Sequence, residues 1–449
     1  MSNHWSRRRA LAALGAAAVA GCSQPESPPD DEPPDLGSPD TPTGTPTAAP
    51  EPETSFTPTE DWAVPTDAPA ADVEVNVLVE NLEIPWDVSV ASNGDLFVTE
   101  RVGRVTRFSA GDVESVLAPE DAIDAGSVPP GHDEQPWWVK GGEGGTLGVA
   151  VHPGYPDVEL LFVYYTAPEG DGRENRISRF DLSAADPSRT ETVLVEGIPG
   201  SNIHNGGRLT FGPHGHLWAT TGDGGEEANG TDPSSLGSAT LRITVNGEPA
   251  PANPDIDGGD PRVFTYGHRN PQGIAWLPDG TTVATEHGPS AKDELNRLEA
   301  GAYYGWPDVR TEEEYRNAEG VHRPLFNTGN RTWAPTGCLF YTGDVVPSWR
   351  NRLIVGGLRS QQVLVTTLTP PEAELPPENG GRRFDADWLD DAYTATVNPV
   401  LENELGRVRH VEQGTDGGIY AITSNRDGRA TDGFPRERDD VLVRLEAST

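Results

Sequence analysis

Five side chains in this 449-residue sequence could together hold a planar anion and move a proton beside it. His204 lies in Ile203-His-Asn-Gly-Gly-Arg208, where paired glycines let the backbone approach a ligand closely. Arg269 and Asn270 lie in Tyr266-Gly-His-Arg-Asn-Pro-Gln-Gly273, and Arg407 and Arg409 are one residue apart. Arg359 is a further cation, placed after the apolar run that starts at Asn351. A guanidinium fork binds a carboxylate through two parallel hydrogen bonds, so several arginines around one ligand point to carboxylates on it. A neutral imidazole among them is the usual general base near neutral pH. The segment Thr285-Glu-His-Gly-Pro-Ser-Ala-Lys-Asp-Glu294 adds the carbonyls of Gly288 and Pro289 and the carboxylate of Asp293, oxygen donors of the kind that hard cations take. Tyr304 and Trp306, in Tyr303-Tyr-Gly-Trp-Pro307, suit either packing at a sheet edge or a platform for a sugar.

These residues are far apart in sequence, so something regular must bring them together. A turn followed by an apolar strand begins at Asn93, Asp157, His214, Asp279, Asn351 and Asp416, at intervals of 64, 57, 65, 72 and 65 residues. Such a repeat predicts an all-β chain, a six-bladed β-propeller whose four-stranded blades stack to bury both faces. The alternating Val73, Val75, Val77 and Val79 and the terminal Val441-Leu-Val-Arg-Leu445 would share the closing blade. The site segments fall directly before or after the repeated strands, at positions that face a propeller's central channel.

Composition narrows the partners. With 33 Lys+Arg against 71 Asp+Glu the formal charge is −38, which excludes a basic nucleic-acid binder. The acidic residues are spread along the chain, as expected for a protein that works in concentrated salt, where self-repulsion is screened. Residues 1–22 read as a twin-arginine export signal with a lipobox: Ser6-Arg-Arg-Arg9, an apolar stretch from Ala10 to Ala20, and Cys22 as the lipidated first mature residue. Residues 23–70 contain 13 prolines, so 23–72 reads as a disordered stalk and 73–449 as the propeller. The only membrane contact expected is this lipid, on the outer face of the cell membrane. Cys338 is the one other cysteine and cannot form a disulfide within the mature chain.

The motifs His204-x-x-Gly-Arg208, Gly267-His-Arg-Asn270, Glu286-x-Gly-Pro-x-x-x-Asp-Glu294, Tyr304-Gly-Trp-Pro307 and Arg407-x-Arg409 occur in this order on the six-unit repeat. In that combination the chain, over about residues 76–446, resembles the soluble glucose/sorbosone (aldose sugar) dehydrogenases, which use pyrroloquinoline quinone (PQQ) and Ca²⁺. The resemblance implies that an aldose is oxidised at its anomeric carbon to a lactone, with electrons passing to an acceptor that the sequence does not name. It implies His204 as the base and Arg269 and Asn270 beside the reactive edge of PQQ. Arg407 and Arg409 would hold the cofactor carboxylates, the Gly288 and Pro289 carbonyls Ca²⁺, and Asp293 a place near the base. Glu143 stands where a substrate-binding glutamine is usual, Ile203 where the glucose oxidisers have an aspartate, and Arg359 where a PQQ-binding lysine is usual. Two other readings of the residues stay open: a Ca²⁺-dependent lactonase-like hydrolase, built on carboxylate and Asn ligands, and a non-enzymatic, lipid-anchored binding propeller.

Overall fold

A computed structural model describes residues 48–54, 56–59, 62–128 and 139–448. The export signal and lipobox, Cys22 included, lie outside the described residues. The strands form six antiparallel sheets. Their innermost strands are Pro85–Val90, Thr146–Val151, Leu209–Phe211, Pro271–Trp276, Pro335–Tyr341 and Val408–Gln413, for blades one to six. Each repeated unit of the sequence is the turn into the second strand of one blade: Leu96–Glu100, Leu160–Glu169, Leu217–Thr220, Thr282–Glu286, Arg352–Gly357 and Ile419–Thr423. The turn places Gly94, Gly215, Gly280 and Gly417 at φ between 75° and 91°. In blade five Asn351, directly before the second strand, is also left-handed at φ 60°. That left-handed requirement is why the repeat is visible in the sequence.

Blade six is built from both chain ends. Val73–Val79 pairs antiparallel with Leu442–Ala447, with Val75 opposite Leu445 and Val77 opposite Val443. Each interface between neighbouring blades is sealed by an apolar cluster, such as Phe97, Val149 and Val163 between blades one and two, or Val88, Val98, Ile422 and Leu442 between six and one. Burying both faces of every sheet in this way leaves only the channel-facing inner strands and the connecting loops free for polar chemistry.

Of the stretch read as a stalk, residues 48–54, 56–59 and 62–72 are among the described residues. From Ala48 onward the described residues lie against the propeller, beside Asn246 after the third strand of blade three and then beside turns between first and second strands. Ala49 N–H donates to Asn246 Oδ1 at 2.8 Å, and Phe56 meets His214 edge-on at 5.5 Å. Further along, Thr59 N–H donates to Pro278 O, Trp62 packs on Phe340 at 5.1 Å, and Trp349 Nε1 donates to Ala70 O at 2.8 Å. The prolines remove backbone donors, while scattered side chains, chiefly Phe56 and Trp62, supply the adhesion. The propeller unit therefore begins at about Ala48, ahead of the boundary expected at 73.

Candidate active site

The loops that precede the inner strands meet over one end of the channel, around a cavity of about 710 Å³. His204 sits in the connection from blade two to blade three with φ 54°, a left-handed conformation that is costly for a non-glycine residue. The loop Thr221-Gly-Asp-Gly-Gly225, which follows the second strand of blade three, holds it there. A Cβ on Gly222 would lie 1.9 Å from the His204 carbonyl oxygen, so only glycine fits. Gly224 N–H donates to that carbonyl at 3.1 Å, and His204 N–H donates to Glu143 Oε2 at 2.8 Å.

The His204 ring is held at both nitrogens. Nδ1 is 2.8 Å from Asp223 Oδ1, and Nε2 is 2.8 Å from Arg269 Nη2. A guanidinium has no acceptor, so Nε2 carries the lone pair and Nδ1 carries the proton that it donates to Asp223. Asp223 is buried and also receives Gly225 N–H at 2.7 Å, which fixes its carboxylate. The pair has the form of a general base oriented by a carboxylate. Asp223 was not among the residues expected from sequence, because an aspartate among glycines after a strand reads as a turn.

Six arginines and three carboxylates line the cavity, in a chain whose formal charge is −38. Arg407 donates from Nε and Nη2 to Asp427 Oδ2, at 3.0 and 2.7 Å. Arg409 Nη1 donates to Gln272 Oε1 at 2.8 Å, while its buried Nε has no partner. Burial pushes the Arg409 guanidinium down, as do Arg101 and Arg407 nearby, with Asp427 opposing them. Arg359 is exposed at the rim, and among the described residues its guanidinium has no partner. The buried Nε of Arg269 and Nε2 of His287 are also unpaired. Burial drives the His287 ring down to about 3, helped by the positive charge of Arg409 and Arg269 and opposed by Glu143, so that the ring is neutral. Unpaired donors buried around a cationic cavity fit a polyanionic, hydrogen-bonding ligand such as PQQ.

Several expected roles change. Asp293 lines the cavity, but its carboxylate accepts the backbone N–H of Gly288 at 3.1 Å, Trp333 at 2.6 Å and Ala334 at 2.9 Å, so it shapes the loop; the carboxylate against His204 is Asp223. Glu143 is tied to His204 N–H and, at 2.7 Å, to Arg429 Nη1, and it is a brace between loops. Tyr304 is buried outside the cavity lining, stacked on His268 at 4.4 Å with its hydroxyl donating to Arg297 O. Trp306, also buried and outside the lining, lies 5.4 Å from the Arg269 guanidinium and backs it. Both aromatics pack, and neither offers a sugar platform. Asn270 is placed as expected in the lining, where its Oδ1 accepts Gly206 N–H at 3.0 Å.

Arg269 Nη1 donates to the carbonyls of His287 at 3.1 Å and Gly288 at 3.2 Å, so this stretch of backbone already faces a cation. Gly288 lines the cavity; Pro289 follows it outside the lining. Among the described residues no group of three or more His, Cys, Asp or Glu side chains could hold a metal. The oxygens that this stretch offers a hard cation such as Ca²⁺ are backbone carbonyls.

The glucose/sorbosone dehydrogenase family model matches residues 82–432. The chain is 27% identical to aldose sugar dehydrogenase YliI of Escherichia coli over 394 residues, covering 84% of this chain and 95% of the relative. It is 28% identical to quinoprotein glucose dehydrogenase B of Acinetobacter calcoaceticus, over 54% of each chain. Among solved structures, PQQ-bound aldose sugar dehydrogenase from Streptomyces coelicolor matches with a TM-score of 0.65 and 30% identity, covering 84% of this chain and 99% of that one.

Proposed function

We infer the reaction from one premise: the chain belongs to the glucose/sorbosone dehydrogenase family. It is a quinoprotein sugar dehydrogenase that oxidises an aldose at its anomeric carbon to the lactone, with PQQ as the hydride acceptor. The observation that carries this reading is the oriented His204–Asp223 pair on the wall of a cavity whose arginines outnumber its carboxylates. When bound, PQQ would supply the quinone that takes the two electrons and Ca²⁺ would polarise its reactive carbonyl. Arg407, Arg409, Arg101 and the free Arg359 would hold the cofactor carboxylates, and the carbonyl of Gly288, with that of Pro289 after it, would face the metal.

His204 takes the proton of the anomeric hydroxyl at Nε2. Asp223 holds the ring in the tautomer that leaves this nitrogen free of hydrogen, and it stabilises the imidazolium that forms. Arg269 must yield Nε2 to the substrate, and its charge is then available for negative charge developing beside it. The hydrolase reading calls for side-chain oxygens converging on a metal, whereas this cavity presents guanidinium groups. Reduction of an artificial dye by aldose, only after loading with PQQ and Ca²⁺, tests the assignment. Aldose-independent or PQQ-independent behaviour would refute it.

The N-terminal motifs support export by the twin-arginine route and attachment through a lipid on Cys22. A single acyl chain binds weakly, so stable attachment needs a multiply acylated cysteine. Cys22→Ser should release the protein from the membrane fraction; retention there would refute the anchor.

A further inference from the structure

Glu286 ends the second strand of blade four, is buried, and touches neither the cavity nor the base. Its two oxygens nevertheless hold two consecutive residues of the loop that enters the site. Oε1 accepts the Arg269 N–H at 2.5 Å, and Oε2 is 2.7 Å from His268 Nδ1, which donates because a carboxylate can only accept. His268 is fully buried, and its Nε2 meets Thr265 Oγ1 at 2.9 Å. On the far side of Arg269 its carbonyl accepts Asp223 N–H at 2.9 Å. Arg269 therefore joins Glu286 to both groups that grip the His204 ring, its own guanidinium on Nε2 and Asp223 on Nδ1.

Blade one repeats the contact. Glu100 ends its second strand opposite Pro85, as Glu286 stands opposite Pro271. In each blade the carboxylate accepts the N–H two residues before that proline, Glu83 at 2.7 Å and Arg269 at 2.5 Å. The difference lies on the third strand. Opposite Glu100 stands Arg104, which pairs with it through Nε at 2.8 Å and Nη2 at 2.6 Å. Opposite Glu286 stands a second carboxylate, Glu294. Among the described residues the one ion-pair partner of Glu286 is His268. A carboxylate that only braced the blade would be served better by the arginine of blade one, since an uncompensated buried charge is costly. Here its field reaches the site: burial pushes the Arg269 guanidinium down, and the carboxylates of Asp223, Glu143, Glu286 and Asp293 oppose this.

We propose that Glu286 is a positioning residue for the base: it fixes Arg269 and, through the Arg269 carbonyl, Asp223, so that His204 meets the sugar in one orientation. The proposal rests on the dehydrogenase reading and adds the group that sets the base from behind.

Glu286→Gln keeps the shape of the side chain but offers one acceptor oxygen to two donors. Its kcat should fall about 10- to 100-fold, the effect of a small misplacement of a reacting group, while KM for the aldose changes less than about threefold. In the His204→Ala background the same substitution should cost less than about twofold, because it acts through the ring; independent damage would multiply the two losses. In the cofactor-free protein, NMR should show the His204 Nδ1–H, assigned by its loss in His204→Ala, as a sharp signal in wild type and as a broadened or missing one in Glu286→Gln. Glu286→Asp keeps the charge but draws it back from the Arg269 N–H, and should show the same losses at smaller size if the glutamine variant does not fold. Failure of the dehydrogenase reading would appear as no aldose oxidation by the loaded wild type, with the NMR result then deciding the role of Glu286. That role is refuted by an unchanged kcat, by equal losses in the wild-type and His204→Ala backgrounds, or by an Nδ1–H signal that Glu286→Gln leaves as it was.

Discussion

Arg269 Nη2 and His204 Nε2 stand 2.8 Å apart, and this contact determines which ring nitrogen holds the proton. With Asp223 on Nδ1, the imidazole is clamped between a carboxylate and a guanidinium. The base is thus held in one orientation until a substrate hydroxyl displaces the arginine.

Asp223→Ala should leave Nδ1 without its acceptor and let the ring rotate. We expect kcat to fall ~10²–10⁴-fold, the usual range for a positioned proton acceptor, while PQQ affinity stays near wild type. A stopped-flow measurement of the reductive half-reaction checks this; an unchanged rate would contradict the positioning role of Asp223.

Glu143 should act through stability and loop geometry. Its burial alone would raise its pKa, but Arg429 foremost, together with the contacts to His204, overcomes this and holds it at about 2. A depressed carboxylate contributes stability that is present above the unfolded value, about 4.3, and is lost as pH falls toward 2. Glu143→Gln should therefore melt lower than wild type at pH 6 and converge with it near pH 2–3. Parallel curves over that range would contradict the assignment.

The segment from Ala48 should clamp blades three to five. Trp349→Phe removes the hydrogen bond to Ala70 O and should cost roughly 0.5–1.5 kcal/mol, with hydrogen exchange rising in residues 62–72. Sugar turnover should not change, since these contacts lie at the turns remote from the catalytic loops.

The dispersed acidic surface predicts a melting temperature that rises with salt from millimolar to molar concentrations, because self-repulsion is then screened. Thermal unfolding monitored by fluorescence checks it; indifference to salt would contradict adaptation to brine.

Much of this was legible in sequence because backbone chemistry repeats. Gly94, Gly215, Gly280 and Gly417 mark the same left-handed turn, and the strands after them reveal the blades. His204, Arg269, Arg407 and Arg409, which the sequence places in or before inner strands, line one cavity. Asp223 could not, since nothing local separates a base-orienting aspartate from a turn. For Tyr304 and Trp306 the sequence left packing and a sugar platform open, because composition does not say which face of an aromatic ring is covered. Asp293 was read as chemistry because two of the three backbone donors to its carboxylate, those of Trp333 and Ala334, come from a loop distant in sequence. The segment from Ala48 to Asp72 was hidden by its prolines, which signal disorder even where isolated aromatics dock.

The division of labour between His204 and the arginines is the central claim, and a titration of PQQ into Ca²⁺-saturated protein, followed by turnover at saturation, tests it most directly. His204→Ala should bind PQQ nearly as wild type does and lose turnover by ~10²–10⁴-fold. Arg409→Ala should bind PQQ roughly 10- to 100-fold more weakly, as expected for loss of a charge-assisted contact, and regain much of its turnover at excess cofactor. Weakened PQQ binding in His204→Ala, or unchanged binding in Arg409→Ala, would contradict the account.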